Sequence, residues 1–331
     1  MRKRFSIAVA SVVLLGSALA GCGSNDDEPS GGSASGGSGD KIVLGFSQVG
    51  AESGWRTANT KSIQESAAKA GIELKFVDAQ GKQENQITAI RSFITQKVDV
   101  IAFSPVVTSG WDAVLKEAKD ANIPVILTDR AVDSADTSLY QSFIGSDFKV
   151  EGEKAGEWLV EQYKGKTGPV NIVELQGTTG AAPAIDRKTG FTEKIAADPN
   201  LKIVKSQTGD FTRAQGKTVM ETFLQSTPKI DVLYAHNDDM GLGAIEAIEA
   251  AGKKPGTDIK IITVDAVKDG MTALAAGKIN YIVECSPLLG DQLMETVKAV
   301  KAGQTVEKRI LTKEGTFTPE QAKAELPNRK Y

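Results

Sequence analysis

From Lys41 onward, short apolar runs alternate with longer segments in which apolar residues recur every three or four positions. The short runs have the length and the β-branched or aromatic content of strands, and the longer segments have the period of helices. A helix is predicted after each strand, and the predicted strands are 41–48, 73–78, 98–103, 124–129, 170–176, 201–207, 230–236, 259–265 and 280–284. Such repeated strand–helix units predict parallel sheets with helices on both faces.

The alternation falls into two blocks of similar size, separated near residues 140–147. Each block is long enough to form its own core, which predicts an α/β protein with two similar doubly wound parallel-sheet lobes. Ligands of open parallel sheets bind outside the carboxyl ends of the strands. The residues that directly follow each strand are therefore the candidates for a site.

A separate segment precedes the first strand. Arg2, Lys3 and Arg4 stand before an apolar stretch, and small residues then lead to Cys22. The run Leu19 to Cys22 resembles the bacterial lipoprotein signal-peptidase box, which implies cleavage before Cys22 and a lipid on its sulfur. The alternative is an ordinary secretory signal with an incidental cysteine. Residues 23–40 are rich in Gly, Ser and acidic residues, so we expect a disordered tether there.

The amino-acid composition argues against several classes of function. One histidine, His236, and two cysteines, Cys22 and Cys285, leave little material for a zinc site or a disulfide framework. The formal charge of −3, with no basic cluster beyond the first residues, argues against nucleic-acid binding. We therefore predict neither a metal nor a cofactor.

Polar side chains and one large aromatic cluster at the predicted strand ends. The candidates in the first block are Glu52, Ser53, Gly54, Trp55, Arg56, Asp129 and Arg130. Those in the second block are Arg187, Asn237 and Asp265. Carboxylates and amides bind hydroxyl groups, guanidinium offers five donors in a fixed fork, and an indole can cover a sugar ring. This set suits a neutral polyol.

Each candidate also has a structural alternative. Asp129 and Asn237 could cap the helices that follow them, Arg187 could be a solvated helix residue, and Trp55 could be a packing anchor. A nucleophile would have to use His236, and the sequence has no serine in a nucleophile elbow. A glycosidase pair of Asp129 and Asp265 is disfavoured by the neighbouring arginines. We therefore predict a shared binding cleft and no enzyme activity.

The chain from Lys41 to about Phe317 resembles the periplasmic sugar-binding proteins of ABC importers, in the ribose/galactose-type branch, and most of all the galactofuranose-binding members. The resemblance rests on long motifs, among them SGWRTANT (53–60), PVILTDR (124–130), VELQGTTGAAPAIDRKTGF (173–191), YAHNDDM (234–240) and VDAVKDG (264–270). It implies the type I periplasmic binding protein fold with a three-crossing hinge. It places the sugar contacts on the same strand-end residues and leaves Ser104 and Cys285 as secondary contacts.

The pattern of residues 1–40 and the resemblance together predict a division of the chain. Residues 1–21 are the signal peptide, 22–40 the tether, 41–146 with 286–310 the first lobe, and 147–285 with 311–331 the second. We expect a monomer that is lipid-anchored through Cys22 at the outer face of the cytoplasmic membrane. The resemblance implies that it closes on a neutral monosaccharide and delivers it to the transmembrane subunits of an ABC permease. A co-receptor that presents the sugar to a membrane signalling protein is the alternative. A sugar-responsive repressor would need a DNA-binding segment where the signal stands.

Overall fold

The computed structural model describes residues 41–331, and the predicted signal peptide and tether lie outside the described residues. The strands are β1 (Val43–Gln48), β2 (Glu73–Asp78), β3 (Val100–Phe103), β4 (Val125–Thr128), β5 (Ser142–Gly145), β6 (Val170–Gln176), β7 (Leu201–Thr208), β8 (Val232–Ala235), β9 (Lys260–Asp265), β10 (Tyr281–Glu284), β11 (Arg309–Leu311) and β12 (Thr316–Phe317). The helices are α1 (Gly54–Ala70), α2 (Gln83–Thr95), α3 (Asp112–Asp120), α4 (Phe148–Tyr163), α5 (Ala182–Ile195), α6 (Arg213–Ser226), α7 (Asp238–Ala250), α8 (Lys268–Ala275), α9 (Gly290–Lys301) and α10 (Pro319–Glu325).

The strands form two six-stranded sheets, one in each lobe. The first has the order β11-β5-β4-β3-β1-β2, and the second has the order β12-β10-β9-β8-β6-β7. Every described pairing is parallel except that of β10 with the short edge strand β12. The predicted α/β class with two doubly wound lobes is confirmed.

Each sheet is covered on both faces because its central strands are apolar on both sides. In the first lobe, Phe46 faces a core shared with α1 and α9, and Phe103 faces a core shared with α2 and α3. In the second lobe, Tyr234 faces α4 and α5, whereas Leu233 faces α6 and α7. Among residues 41–331, every helix is too short or too polar to span a bilayer.

The chain crosses between the two sheets three times, after β5, after β10 and after β11. One carboxylate oxygen, Oε1 of Glu314, joins the three crossings. It accepts hydrogen bonds from Ser146 Oγ at 2.6 Å, the Ser286 backbone N at 2.8 Å and Thr312 Oγ1 at 2.7 Å. The predicted three-crossing hinge is therefore present, and a single partly buried acceptor connects its segments.

Candidate functional site

A cavity of about 290 Å³ lies between the lobes, where the carboxyl ends of both sheets face each other. The first lobe lines it with Glu52, Ser53, Trp55, Arg56, Asp129 and Arg130. The second lobe and the second crossing line it with Phe148, Pro183, Arg187, Phe211, Asn237, Asp265 and Cys285. The structure therefore brings most of the residues singled out from the sequence into one cavity.

Two of the singled-out residues do not line this cavity. Gly54 begins helix α1, and its backbone N donates to the Asp239 carboxylate at 2.7 Å. Ser104 is fully buried behind the cavity and donates to Asp129 Oδ2 at 3.0 Å. Both residues support neighbours of the cavity. Cys285, the other secondary candidate, does line it.

The first-lobe wall is an ion-pair network centred on Arg56. Its Nη2 lies 2.7 Å from Asp129 Oδ2, and its Nε lies 3.0 Å from Glu52 Oε1. Burial alone would lower the pKa of Arg56, but Asp129 and Glu52 outweigh burial and raise it. Burial likewise would raise the pKa of Glu52, but Arg56 and Arg130 lower it. Arg56 and Glu52 therefore stay charged, and their contact holds both side chains in place.

Arg130 is less completely paired than Arg56. Its Nη1 donates to the Val106 carbonyl at 3.2 Å, but its buried Nε has no hydrogen-bond partner among residues 41–331 and lies 3.7 Å from Asp129 Oδ2. Burial and the charge of Arg56 lower the pKa of Arg130 to about 10, so the side chain remains a cation at neutral pH. A buried donor without a partner is costly, which makes Arg130 a ready donor to a ligand oxygen.

The second-lobe wall is built around Arg187 on helix α5. Its Nε lies 2.7 Å from Glu151 Oε2, its Nη1 donates to the His236 carbonyl at 2.6 Å, and its Nη2 lies 3.8 Å from Asp265 Oδ1. Burial raises the pKa of Asp265 well above its ordinary range and raises that of Glu151 to about 8. The alternative of a solvated Arg187 is wrong, because this side chain is 96% buried.

Asn237 performs the capping role that the sequence left open and a second role besides. Its Oδ1 accepts from the Met240 backbone N at 2.9 Å at the start of α7, and its Nδ2 donates to the Phe211 carbonyl at 3.0 Å. Asp129 differs, because its carboxylate pairs with Arg56 and no helix starts directly after it. His236, the residue before Asn237, is fully buried, and burial lowers its pKa, so the imidazole is neutral. Its Nε2 lies 3.1 Å from Glu174 Oε1.

The cavity also has an apolar wall. Trp55 is held there because its Nε1 donates to the Cys285 carbonyl at 2.7 Å. Phe148, Pro183 and Phe211 complete this wall and were not singled out from the sequence. Phe211 follows strand β7, so the rule for strand ends could have found it. Phe148 follows β5, a strand that the pattern did not predict.

One group of side chains near the hinge has the residue types of a metal site. Oxygen atoms of Glu151 and Glu314 and the Cys285 sulfur lie within 4.8 Å of one another. However, Glu151 is paired with the Arg187 guanidinium and Glu314 already accepts three hydrogen bonds at one oxygen. Burial also raises the pKa of all three groups, which opposes the deprotonated forms that bind metal. These residues do not fit a cation.

Comparison with known proteins places this architecture in a family. The model of the periplasmic binding protein domain matches residues 44–305, and the chain belongs to this family. The galactofuranose-binding protein YtfQ of Escherichia coli is 50% identical over 293 residues, which cover 87% of this chain and 92% of YtfQ. These relatives are solute-binding proteins, so the prediction that the chain is not an enzyme is confirmed.

Solved structures agree with this assignment. A protein from Mycobacterium smegmatis in complex with β-D-fucofuranose is 69% identical and has a TM-score of 0.87, covering 88% of this chain and 95% of that protein. The binding protein of the arabinose ABC transporter of Shewanella sp. ANA-3, bound to α- and β-L-arabinofuranose, is 50% identical with a TM-score of 0.83, covering 87% and 95%. The resemblance inferred from the sequence motifs is confirmed.

Proposed function

We propose that this protein is the lipid-anchored solute-binding component of a carbohydrate ABC importer and captures a neutral monosaccharide between its lobes. The observation that carries the proposal is the convergence of hydrogen-bonding side chains from both lobes on one small cavity, held by the Arg56–Asp129 contact in one lobe and the Arg187–Glu151 contact in the other. We assign the ligand contacts to the candidates that line the cavity, Glu52, Ser53, Trp55, Arg56, Asp129, Arg130, Arg187, Asn237 and Asp265, with Cys285 as a secondary contact. The other two candidates lie outside the lining: Ser104 positions Asp129, and Gly54 contacts Asp239 of the other lobe, so we assign neither of them a direct contact with the sugar.

The balance of charge favours a neutral polyol. Arg56 and Arg130 in the first lobe already face the carboxylates of Asp129 and Glu52, so an anionic ligand there would have to displace an existing ion pair. Hydroxyl groups can instead accept from Arg130 and donate to the carboxylates without separating any pair. The apolar wall of Trp55, Phe148 and Phe211 then covers the carbon face of a sugar ring.

The relatives narrow the class of sugar. Galactofuranose, β-D-fucofuranose and L-arabinofuranose, named for three similar proteins, are all five-membered-ring sugars. We therefore propose a furanose, with galactofuranose as the first choice and other aldoses behind it.

The mechanism we propose is a two-state clamp. Contacts from both lobes exist together only when the lobes are closed, so the sugar stabilises the closed form by its differential affinity for that form. Roughly ten polar contacts would give micromolar or tighter binding, on the order of −8 kcal/mol after the ordering costs. The closed monomer then docks on the transmembrane subunits of the permease.

The proposal includes the location and division of the chain. The lobes comprise 41–146 with 286–310 and 147–285 with 311–331, and residues 22–40 form the tether. A diacylglycerol on Cys22 holds the protein at the outer face of the cytoplasmic membrane, because two acyl chains are needed for stable anchoring.

Calorimetry against a panel of ligands tests the proposal. The panel comprises D-galactose, D-fucose, L-arabinose, D-ribose, D-galacturonate and L-glutamate. We expect the neutral aldoses to bind and the two acids to fail, and carbon-13 spectra of bound [1-¹³C]galactose to show the furanose anomeric signal. Tightest binding of an acid would refute the cavity chemistry, and a bound pyranose would refute the choice of ring form.

A further inference from the structure

One direct contact between the lobes lies beside the cavity and not within it. Oδ2 of Asp239 accepts from the Gly54 backbone N at 2.7 Å. Gly54 begins α1 in the first lobe, whereas Asp239 lies in the first turn of α7 in the second. Asp239 is 7% exposed and is not among the residues that line the cavity. The contact therefore joins the lobes without taking a place that a sugar would use.

The two ends of this contact are chemically matched. The backbone N–H groups of the first helical turn have no partner within the helix, and a negative charge at that end is favoured by the helix dipole. Ser53 already caps α1 by accepting from the Arg56 backbone N, so Asp239 supplies a second acceptor from the opposite lobe. Separation of the lobes would return Gly54 N to water.

Contacts within the second lobe fix the position of the Asp239 carboxylate. Its Oδ1 lies 3.3 Å from Arg213, and Arg213 also lies 3.0 Å from Asp269. These partners belong to helices α6 and α8 of the second lobe and do not change when the lobes separate. The carboxylate therefore does not have to be ordered anew at each closure.

A second contact of the same kind lies elsewhere along the interface. The Thr108 backbone N of the first lobe donates to the Gly180 carbonyl of the second at 2.9 Å. Thr108 is fixed in turn because its carbonyl accepts from the Asp133 backbone N at 2.7 Å. Both contacts use groups that do not face the cavity, so the closed form has stabilising interactions of its own.

We propose that Asp239 is a positioning residue, a latch that stabilises the closed form without touching the sugar. The inference rests on the proposed function, because it concerns the closure of the same clamp. When the closed form is a minor part of the sugar-free protein, the apparent affinity scales with its population. Loss of the latch then weakens the binding of every sugar by one common factor, whereas loss of a contact residue changes the ratio between sugars.

The binding arm of the test compares Asp239→Ala with a matched control. Asp269→Asn alters the same Arg213 cluster from a position that does not contact Gly54. In titrations with D-galactose, D-fucose and L-arabinose, Asp239→Ala should weaken all three by the same roughly 3- to 30-fold, with faster dissociation. Asp239→Asn keeps an acceptor oxygen and should lose less, and Asp269→Asn should match the parent protein.

A second arm requires no sugar. A nitroxide is attached to Gln80→Cys in a Cys22→Ser background, because Gln80 of the first lobe and Asp210 of the second line the same groove and the Cys285 thiol is buried. Relaxation enhancement of amides near Asp210 reports the closed population. It should fall in Asp239→Ala and Asp239→Asn and stay unchanged in Asp269→Asn.

Three results would overturn the latch: affinities within twofold of the parent, a changed ratio between the three sugars, or unchanged relaxation in the sugar-free protein. If the parent protein binds none of the sugars, the proposed function fails instead. The relaxation arm then decides the latch alone, with a decrease supporting it and no change refuting it.

Discussion

The guanidinium carbon of Arg130 lies 5.3 Å from the centre of the Phe211 ring, and this contact joins the two lobes across the cavity. Phe211 is fixed from behind, because Asn237 Nδ2 donates to its carbonyl. Its ring lies so close to Gly177 that a Cβ there would come within 1.8 Å of it. The position of Phe211 in the cavity wall therefore requires glycine at position 177.

Replacing Phe211 tests the role of this wall. Phe211→Ala removes both the cation–π contact and the apolar cover of the cavity, so sugar affinity should fall by about 1–3 kcal/mol. Phe223 lies on the buried face of α6, away from the cavity. Phe223→Leu is therefore the control for a general loss of packing. Calorimetry should show weaker binding for the first variant and near-parental binding for the second, and the reverse order would contradict the assignment.

Arg130 and Asp265 line the cavity from opposite lobes, and the proposed function assigns polar contacts with the sugar to both. Arg130→Ala or Asp265→Ala removes a hydrogen-bonding partner of the sugar inside a buried site, so each should weaken binding by roughly 2–5 kcal/mol. Trp55→Ala should cost less but remain measurable. The exposed Arg91→Ala, whose pair with Glu117 lies outside the cavity, should have no effect. If both polar variants stay within twofold of the parent, the cavity is wrongly assigned.

Glu151 should make stability depend on pH. Burial raises its pKa from an ordinary 4.5 to about 8, supported by Glu314 and opposed by Arg187. A carboxyl whose folded-state pKa is raised binds more protons in the folded protein, so its contribution to stability is complete below pH 4.5 and is lost as the pH rises through about 8.

Thermal unfolding between pH 5 and pH 9 measures this effect. Glu151→Gln cannot ionise, so its stability should fall less steeply with pH than that of the parent protein. Glu157→Gln, exposed on the same helix, should keep the parental slope. Equal slopes for the parent and Glu151→Gln would show that Glu151 does not titrate in this range.

Cys22 tests the proposed anchor. In the producing bacterium, Cys22→Ala should release the protein from the membrane fraction and abolish the mass added by the lipid. Replacement of the nearby Ser24 by Ala should leave both unchanged. Retention of the Cys22→Ala protein after a high-salt wash, with the same mass shift as the parent, would refute the anchor.

The sequence predicted the sheets well because their central strands are apolar on both faces, as in β3 and β8. Strand β5 was not predicted, because its four residues follow a polar segment and resemble a loop. Phe148, which follows β5, was not predicted as a site residue for the same reason. The edge strands β11 and β12 pair over three and two residues, too few to leave a pattern.

The strand-end rule found the charged residues of the cavity because each lies at the end of a strand or in the loop or helix that follows it. Glu151 lies in the first turn of helix α4, where an acidic residue is ordinary on electrostatic grounds. Only the approach of α5 shows that its partner is Arg187: a Cβ on Gly152 would come within 2.2 Å of the Arg187 carbonyl oxygen. Contacts between elements distant in sequence, such as Gly54 with Asp239, leave no local signal.

Small-angle X-ray scattering with and without sugar tests the clamp most directly. At saturating D-galactose, D-fucose or L-arabinose, the radius of gyration should decrease and the scattering curve should approach that calculated from the closed structure. D-Galacturonate at the same concentration should leave the curve unchanged. Binding of a neutral sugar without any compaction, or conversion of that sugar into product, would contradict the account.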